Sequence, residues 1–411
     1  MNIFSKKKLV LVNTALLLLS GNLLYAQESA NIQVENTAKE TIVDYVVEVP
    51  VADLKLGIGD YKATAGQNDI SPVEIITDVF GVQKALFLIP SIDGKKSQAY
   101  QLTKGDLQTY PKRTSAELTH KIGGQFIGKE YIGGHSWVKT NSMTLPGTFT
   151  DHSYYIKYEG PGWESDKVAF RFYLDNRNAI DIFAKATPDL SLVGVGMDNF
   201  ANYHNLAAWG MDNLKVGPAL GLGSIAAWDG EKAVRVAEKD STTCTIAADG
   251  KIRSQVKTTY HGWQVSPSQK VDLTSLISID AGSRGSHIEL VTDKPIDNIA
   301  TGIIKLPNGK LSVKNDTNNE WSYIATFGRQ SLNKDMQGLV VFARTKQIRK
   351  ISEDALNHVL ILQPDDKNYV EYYIMSTWEL DVEPIRTEAE FQNCIDEFLL
   401  KLNQNIKYKL K

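Results

Sequence analysis

A histidine, an indole, a carboxylate and an ammonium fall within one short stretch of this chain, at His204, Trp209, Asp212 and Lys215. An imidazole titrates near neutral pH and can act as acid or base; an indole offers an apolar plate to a sugar ring, and an ammonium can neutralise a carboxylate. A lone histidine in a glycine-rich loop is more often a structural hydrogen bonder, so the stretch gains weight only from its neighbours. Upstream, Arg171 and Tyr173 project from one strand face, with Asp175 and Arg177 at the strand end. An arginine beside a tyrosine can clamp a carboxylate next to an acid or base, although an exposed Arg171–Asp175 salt bridge explains the spacing equally well. A third cluster places His261 between Tyr260 and Trp263, beyond a polar face that carries Arg253, Gln255, Lys257 and Thr259. Aromatic rings around a histidine suit sugar stacking and also suit the edge of a core. His135 with Trp137, and His152 with Tyr154 and Tyr155, repeat the theme more weakly, while His120, His287 and His358 read as structural.

The elements that must carry these groups are mostly strands. From Val168 the chain alternates, with Val168, Phe170, Phe172 and Leu174 on one face and Arg171, Tyr173 and Asp175 on the other. Four Asx-Gly pairs, Asp93-Gly94, Asp229-Gly230, Asp249-Gly250 and Asn308-Gly309, stand between short alternating stretches and predict tight antiparallel hairpins. Residues 197–223 are rich in Gly, Asn and Trp without a period, which predicts a long ordered loop region of the kind that often carries function. Helix is confined to the end, where Thr387 and Glu390 form a capping box ahead of Phe391, Ile395, Phe398, Leu399 and Leu402. The expected architecture is therefore mainly β and antiparallel, with an amphipathic helix over 387–411 docking on a sheet.

Lys6, Lys7 and Lys8 followed by an apolar run and Leu24-Tyr25-Ala26 have the form of a secretion signal over residues 1–26. Residues 27–411 then form one domain, with 27–118 as an N-terminal subregion of its sheet, exported across the inner membrane to the periplasm. The apolar run is too short to span a bilayer. The chain carries a formal charge of −3, and loss of the leader lysines makes it more acidic, so nucleic acid is not an expected partner. Cys244 and Cys394 are the only cysteines, compatible with one bridge or with two buried thiols. With 42% hydrophobic residues the domain can build its core without staples. No zinc-ligand spacing, P-loop, dinucleotide fingerprint or nucleophile elbow is present, so no cofactor is expected; a calcium site built from scattered oxygens leaves no sequence trace.

The stretch YHNLAAWGMDNLKVGPALGLGSIAAWDG over 203–230, with GPGWESDKVAFRFYLDNRNAIDIFAK before it and WSYIATFGRQ, QGLVVFA and YYIMSTWEL near the end, resembles a secreted family first catalogued as a domain of unknown function in bacterial polysaccharide-utilisation systems. The resemblance covers the chain from about residue 40 to the C-terminal helix. It implies a galactose-mutarotase-like antiparallel β-supersandwich, and one branch of the family is associated with ulvan breakdown, as an oligosaccharide dehydratase acting on the uronic acid at the non-reducing end. The implied partner is an anionic sulfated uronic-acid oligosaccharide, and the implied product a 4,5-unsaturated uronyl end for a downstream glycoside hydrolase.

Removing water across C4 and C5 of a uronic acid needs a cation to neutralise the carboxylate, a base for the C5 hydrogen and an acid for the 4-hydroxyl. The expected cation is Arg171 with Lys215 in support, and the expected acid and base are His204 and Tyr173. Tyr260 and His261 form the second-rank pair, with Arg253 as the alternative cation and Trp209 and Trp263 as sugar-stacking plates. A polysaccharide lyase uses the same three roles and expels a sugar, a glycoside hydrolase needs two carboxylates flanking the bond, and a non-catalytic glycan-binding protein needs only the aromatic surface.

Overall fold

The computed structural model describes residues 29–66, 69–199 and 202–411. The leader expected over residues 1–26 lies outside the described residues. Strand is the dominant element, and every paired strand runs antiparallel to its neighbours.

Among the described residues the chain makes four main sheets. The first runs Ile42–Pro50, Gln83–Ile92, Asp69–Thr77, Tyr61–Ala65, Ser97–Lys104, Ser29–Asn36 and Ile406–Leu410 from edge to edge. A nine-stranded sheet runs Ser142–Pro146, Ser241–Asp249, Arg253–Ser266, Gln269–Asp280, Gly285–Thr292, Tyr369–Trp378, Gln337–Arg344, Trp321–Gly328 and Lys310–Lys314. Two five-stranded sheets complete the set. One holds Gly210–Asp212, Ile180–Lys185, Ala169–Phe172, Gly162–Ser165 and Thr114–Glu117, and the other holds Ala233–Arg235, Ala226–Trp228, Ile299–Ile304, Asn357–Leu362 and Ile348–Glu353.

The two five-stranded sheets pack on one face of the nine-stranded sheet, where Val256, Leu273, Ile277 and Ile374 meet Phe170, Phe172 and Ile182 of one and Ile299, Ile303 and Leu360 of the other. This is the layering of a β-supersandwich. The opposite face of the large sheet is covered as well. Ile252 and Ala281 meet Val46, Ile76, Leu86 and Leu88 of the first sheet, and Trp321, Tyr323 and Phe342 meet Phe391, Ile395 and Leu399 of the C-terminal helix. The centre of the large sheet is thus covered on both sides while its edge strand Lys310–Lys314 stays exposed, and that shapes where polar residues on it end up.

Two of the four Asx-Gly pairs close hairpins, Asp229-Gly230 between Ala226–Trp228 and Ala233–Arg235, and Asp249-Gly250 between Ser241–Asp249 and Arg253–Ser266. The other two do not. Asp93-Gly94 joins strands that lie apart in the first sheet, and Gly94 is required by close approach, since a Cβ there would fall 1.9 Å from the Lys39 carbonyl oxygen. Asn308-Gly309 carries the chain from Ile299–Ile304 in a small sheet to Lys310–Lys314 at the edge of the large one.

The helix spans Glu388–Leu402, with the Thr387 hydroxyl accepting from the Glu390 N–H and the Glu390 carboxylate accepting from the Thr387 N–H. It ends earlier than expected, because residues 406–410 form a strand beside Ser29–Asn36. The N-terminal subregion also closes earlier, since Thr114–Glu117 already belongs to a small sheet. Cys244 and Cys394 are both free thiols. Among the described residues, no helix is long and apolar enough to cross a membrane.

Replacing Thr387 by Ala removes one half of the reciprocal cap, and a loss of about 1 kcal/mol in the urea unfolding free energy is expected.

Candidate active site

The register of one small sheet gathers the charged groups. Arg171 lies directly across from Asp181, and Phe183 directly across from Asp212. Alternation then puts Arg171, Asp181, Phe183 and Asp212 on the face turned away from the main core. Gly210 makes this register possible: its φ is 133°, and a Cβ would lie 1.8 Å from the Ala184 carbonyl oxygen. The segments before the first strand and after the second cover that face, through Tyr158, Leu192, Val195 and Tyr203.

Arg171 is 1% exposed, and both terminal nitrogens of its guanidinium are engaged by the protein, while the buried Nε has no partner among the described residues. Nη2 donates to Asp212 Oδ2 at 2.6 Å, to Asp181 Oδ2 at 2.9 Å and to the Tyr173 hydroxyl at 3.0 Å, and Nη1 donates to the Tyr203 hydroxyl at 2.9 Å and the Tyr158 carbonyl at 3.1 Å. The rings of Tyr173, Tyr203 and Phe183 stand 4.7, 5.0 and 5.1 Å from its central carbon. Tyr158 and Glu159 have φ of 37° and 70°, a left-handed backbone that is costly for residues with a Cβ. That bend presents the Tyr158 carbonyl to Arg171 and the Glu159 carboxylate to Arg177, at 2.6 Å.

One face of the network reaches solvent. His204 is half exposed, and its Nδ1 lies 3.3 Å from Oδ2 of Asp212, the carboxylate that Arg171 anchors. Partial burial, followed by the positive charge of Arg171, lowers the His204 pKa below its ordinary value, which keeps the ring neutral near pH 7. Burial, reinforced by the neighbouring Asp181, raises the pKa of Asp212 despite the opposing pull of Arg171. Arg177 is the second cation, partly exposed, with its guanidinium 3.9 Å from the Tyr173 ring centroid and held by Asp175 and Glu159 through Nε and Nη2. Among the described contacts its Nη1 is not used.

Arg171, Tyr173 and His204 thus come together, but two of them cannot play the parts expected. Arg171 has no face left for a ligand carboxylate; it positions Asp212 and Asp181. Tyr173 is buried, its hydroxyl donates to Asp181 at 2.6 Å, and burial raises its pKa well above 10, so it serves neither as a base nor as a surface acid. The Arg171–Asp175 alternative is also absent, since Asp175 pairs with Arg177. Lys215 is exposed beyond Asp212, and Trp209 is half buried with its ring edge-on to Phe183 at 5.9 Å.

The second cluster is dispersed. Trp263 is 1% exposed within the main core, and Tyr260 is buried with its hydroxyl bonded to Asn178, so neither can meet a sugar. His261 pairs with the half-exposed Asp272 at the surface. Arg253 is buried in a fork on Asp280 and Glu48, on the face of the large sheet that the first sheet covers. Asp181 is the group that residue-type reasoning passed over, and Asp212 and Arg177, though noted in the sequence, were given no part in the expected site. The available signal was Asp181 itself, a carboxylate inside the otherwise apolar Ile-Asp-Ile-Phe-Ala run, which demands a buried cation. Among the described residues, no group of three or more His, Cys, Asp and Glu side chains is placed to hold a metal ion.

Replacing Arg171 by Met leaves two buried carboxylates without their counter-ion, and a loss of about 3–5 kcal/mol in unfolding free energy is expected from denaturant titration.

No curated protein matches this sequence. Among solved structures, the chain is similar to a glycosyl hydrolase family 38 protein from Enterococcus faecalis, at 8% identity and a TM-score of 0.43 over 94% of this chain and 48% of that one. It is also similar to an alpha-mannosidase from Enterococcus faecalis V583, at 8% identity and a TM-score of 0.46 over 94% and 46% of the two chains. The chain therefore spans about half the length of these structures. A family model described as a domain of unknown function (DUF4861) matches residues 34–407, nearly the whole of the described fold, and the chain belongs to that family.

Proposed function

We propose that this protein is a carbohydrate-active dehydratase that removes water across C4 and C5 of the uronic acid at the non-reducing end of ulvan-type oligosaccharides. The observation that carries the reading is the His204–Asp212 pair, a half-exposed imidazole whose Nδ1 faces a buried carboxylate fixed by Arg171. Such a ring stays neutral near pH 7, and with Nδ1 turned to Asp212 its Nε2 is the nitrogen left for a substrate hydrogen. The substrate class rests on the resemblance of residues 160–185 and 203–230 to the ulvan-degrading branch.

In the proposed reaction Nε2 of His204 takes the C5 hydrogen as a proton. The electrons of that bond form the C4–C5 double bond, the C4–O bond breaks, and the departing hydroxide receives a proton from the imidazolium and leaves as water. One imidazole carries both proton transfers, which relieves Tyr173 of any direct part. Arg177, with the exposed Lys215 in support, is the cation assigned to the uronate and to the charge developing beside it. A hydrolytic reading finds less support at this site, because Asp181 and Asp212 are both 1% exposed and committed to Arg171 and so cannot flank a glycosidic bond.

Incubation of the purified protein with saturated, uronate-ended oligosaccharides should yield a product lighter by one water, with ultraviolet absorbance and no chain shortening; two fragments instead would identify a lyase. His204→Ala should retain binding and lose product formation by about 100-fold or more, and unchanged turnover removes His204 from the mechanism. Because the base must be neutral, kcat/KM should fall as pH drops through the His204 pKa, with the acid limb centred below the ordinary histidine value of about 6.5.

A further inference from the structure

A polar cavity of about 460 Å³ lies on the other side of the large sheet, between it, the first sheet and the C-terminal helix. Its floor is made by side chains at alternate positions on neighbouring strands, among them Gln255, His287, Glu289 and Glu371. The volume lies within the range of about 300–1,000 Å³ usual for small-molecule sites.

Two features are hard to account for by stability alone. Glu289 and Glu371 are directly opposite each other in the register of adjacent antiparallel strands, where like charges are destabilising. His287 stands between them, 2.9 Å from Glu371 and 3.9 Å from Glu289, and stacks on Tyr373 at 4.2 Å between centroids. Arg344 donates to the other oxygen of Glu371 at 2.6 Å, and the Tyr369 hydroxyl donates to Glu289 at 3.1 Å. The acids are thus oriented by the protein, with Glu289 the less fully engaged. The second feature is Gln255, 2% exposed, whose amide nitrogen donates to Ser278 while its carbonyl oxygen Oε1 has no partner among the described residues. A buried acceptor without a donor is destabilising, and a ligand hydroxyl at this position would offset that cost.

The charge balance selects among ligands. Six carboxylates line the cavity against four Lys and Arg side chains, so an anionic sugar is disfavoured, while the supply of acceptors matches a molecule rich in hydroxyl donors. We propose that this cavity is a second glycan site, separate from His204, which takes an uncharged mono- or disaccharide through hydrogen bonds to Glu289 and Gln255. It stands independently of the reaction assigned to His204.

Calorimetric titration of the full protein with glucose, galactose, rhamnose, xylose and cellobiose tests it. At least one should bind with a Kd of about 1 mM or tighter, and Glu289→Gln and Gln255→Leu, each checked for an unchanged thermal melt, should weaken that binding tenfold or more while His204→Ala leaves it intact. Absence of binding by all five sugars overturns the proposal, whether or not the variants fold. So does binding that is unaltered in both folded variants or is lost in His204→Ala. Unchanged dehydration by His204→Ala with retained neutral-sugar binding would count against the His204 reading alone.

Discussion

A guanidinium shut away from water and shared by two carboxylates is the constraint from which the His204 site follows. In a low-dielectric setting the Arg171 guanidinium could not be buried without the two acids that share it. The geometry is set by sheet register and not by flexible loops. The same sheet holds other interior ion pairs, Lys185 on Glu164 at 2.9 Å and Lys157 on Glu117 at 2.5 Å, so its outer face is a polar layer roofed by chain and not an exposed surface. What such a layer offers is placement: Arg171 holds Asp212 Oδ2 at the site's floor, with the imidazole of His204 beside it.

The roof also carries the strain. Left-handed Tyr158 and Glu159 would relax if their carbonyl and carboxylate partners were lost, and both partners are arginines of the same cluster. Backbone cost and buried charge are therefore coupled, each held in place by the other. His204 sits at the rim of this arrangement, where rigidity below meets access above.

Much of this was readable from residue order, though unevenly. Alternation through Phe170, Arg171, Phe172 and Tyr173 correctly separated a core face from a polar face, because period two is a property of the strand itself. It could not say whether the polar face met water, and so Arg171 and Tyr173 looked like ligand contacts when they are internal braces. The same blindness misplaced Tyr260 and Trp263, whose strand contributes to a sheet covered on both sides, and left His287 among structural residues although it lines a cavity. Asx-Gly pairs were reliable as turns and unreliable as hairpins: Asp93-Gly94 and Asn308-Gly309 bend the chain but deliver it to a different neighbour, a choice made by long-range packing. The helix was legible to its first residue because a reciprocal cap is local chemistry, while the strand at 406–410 was not, since its partner lies at the other end of the chain.

That last pairing has a consequence for how the molecule assembles. Ile32 faces Leu410 and Asn36 faces Ile406, so the outermost ladder of the first sheet joins segments separated by almost the full length of the polypeptide. Loop closure on that scale is slow, and the ladder cannot form until synthesis has passed residue 410. The N-terminal layer is therefore completed only after residue 410 has been made, and until then one edge of the Ser29–Asn36 strand is unpaired and open to mispairing with other chains.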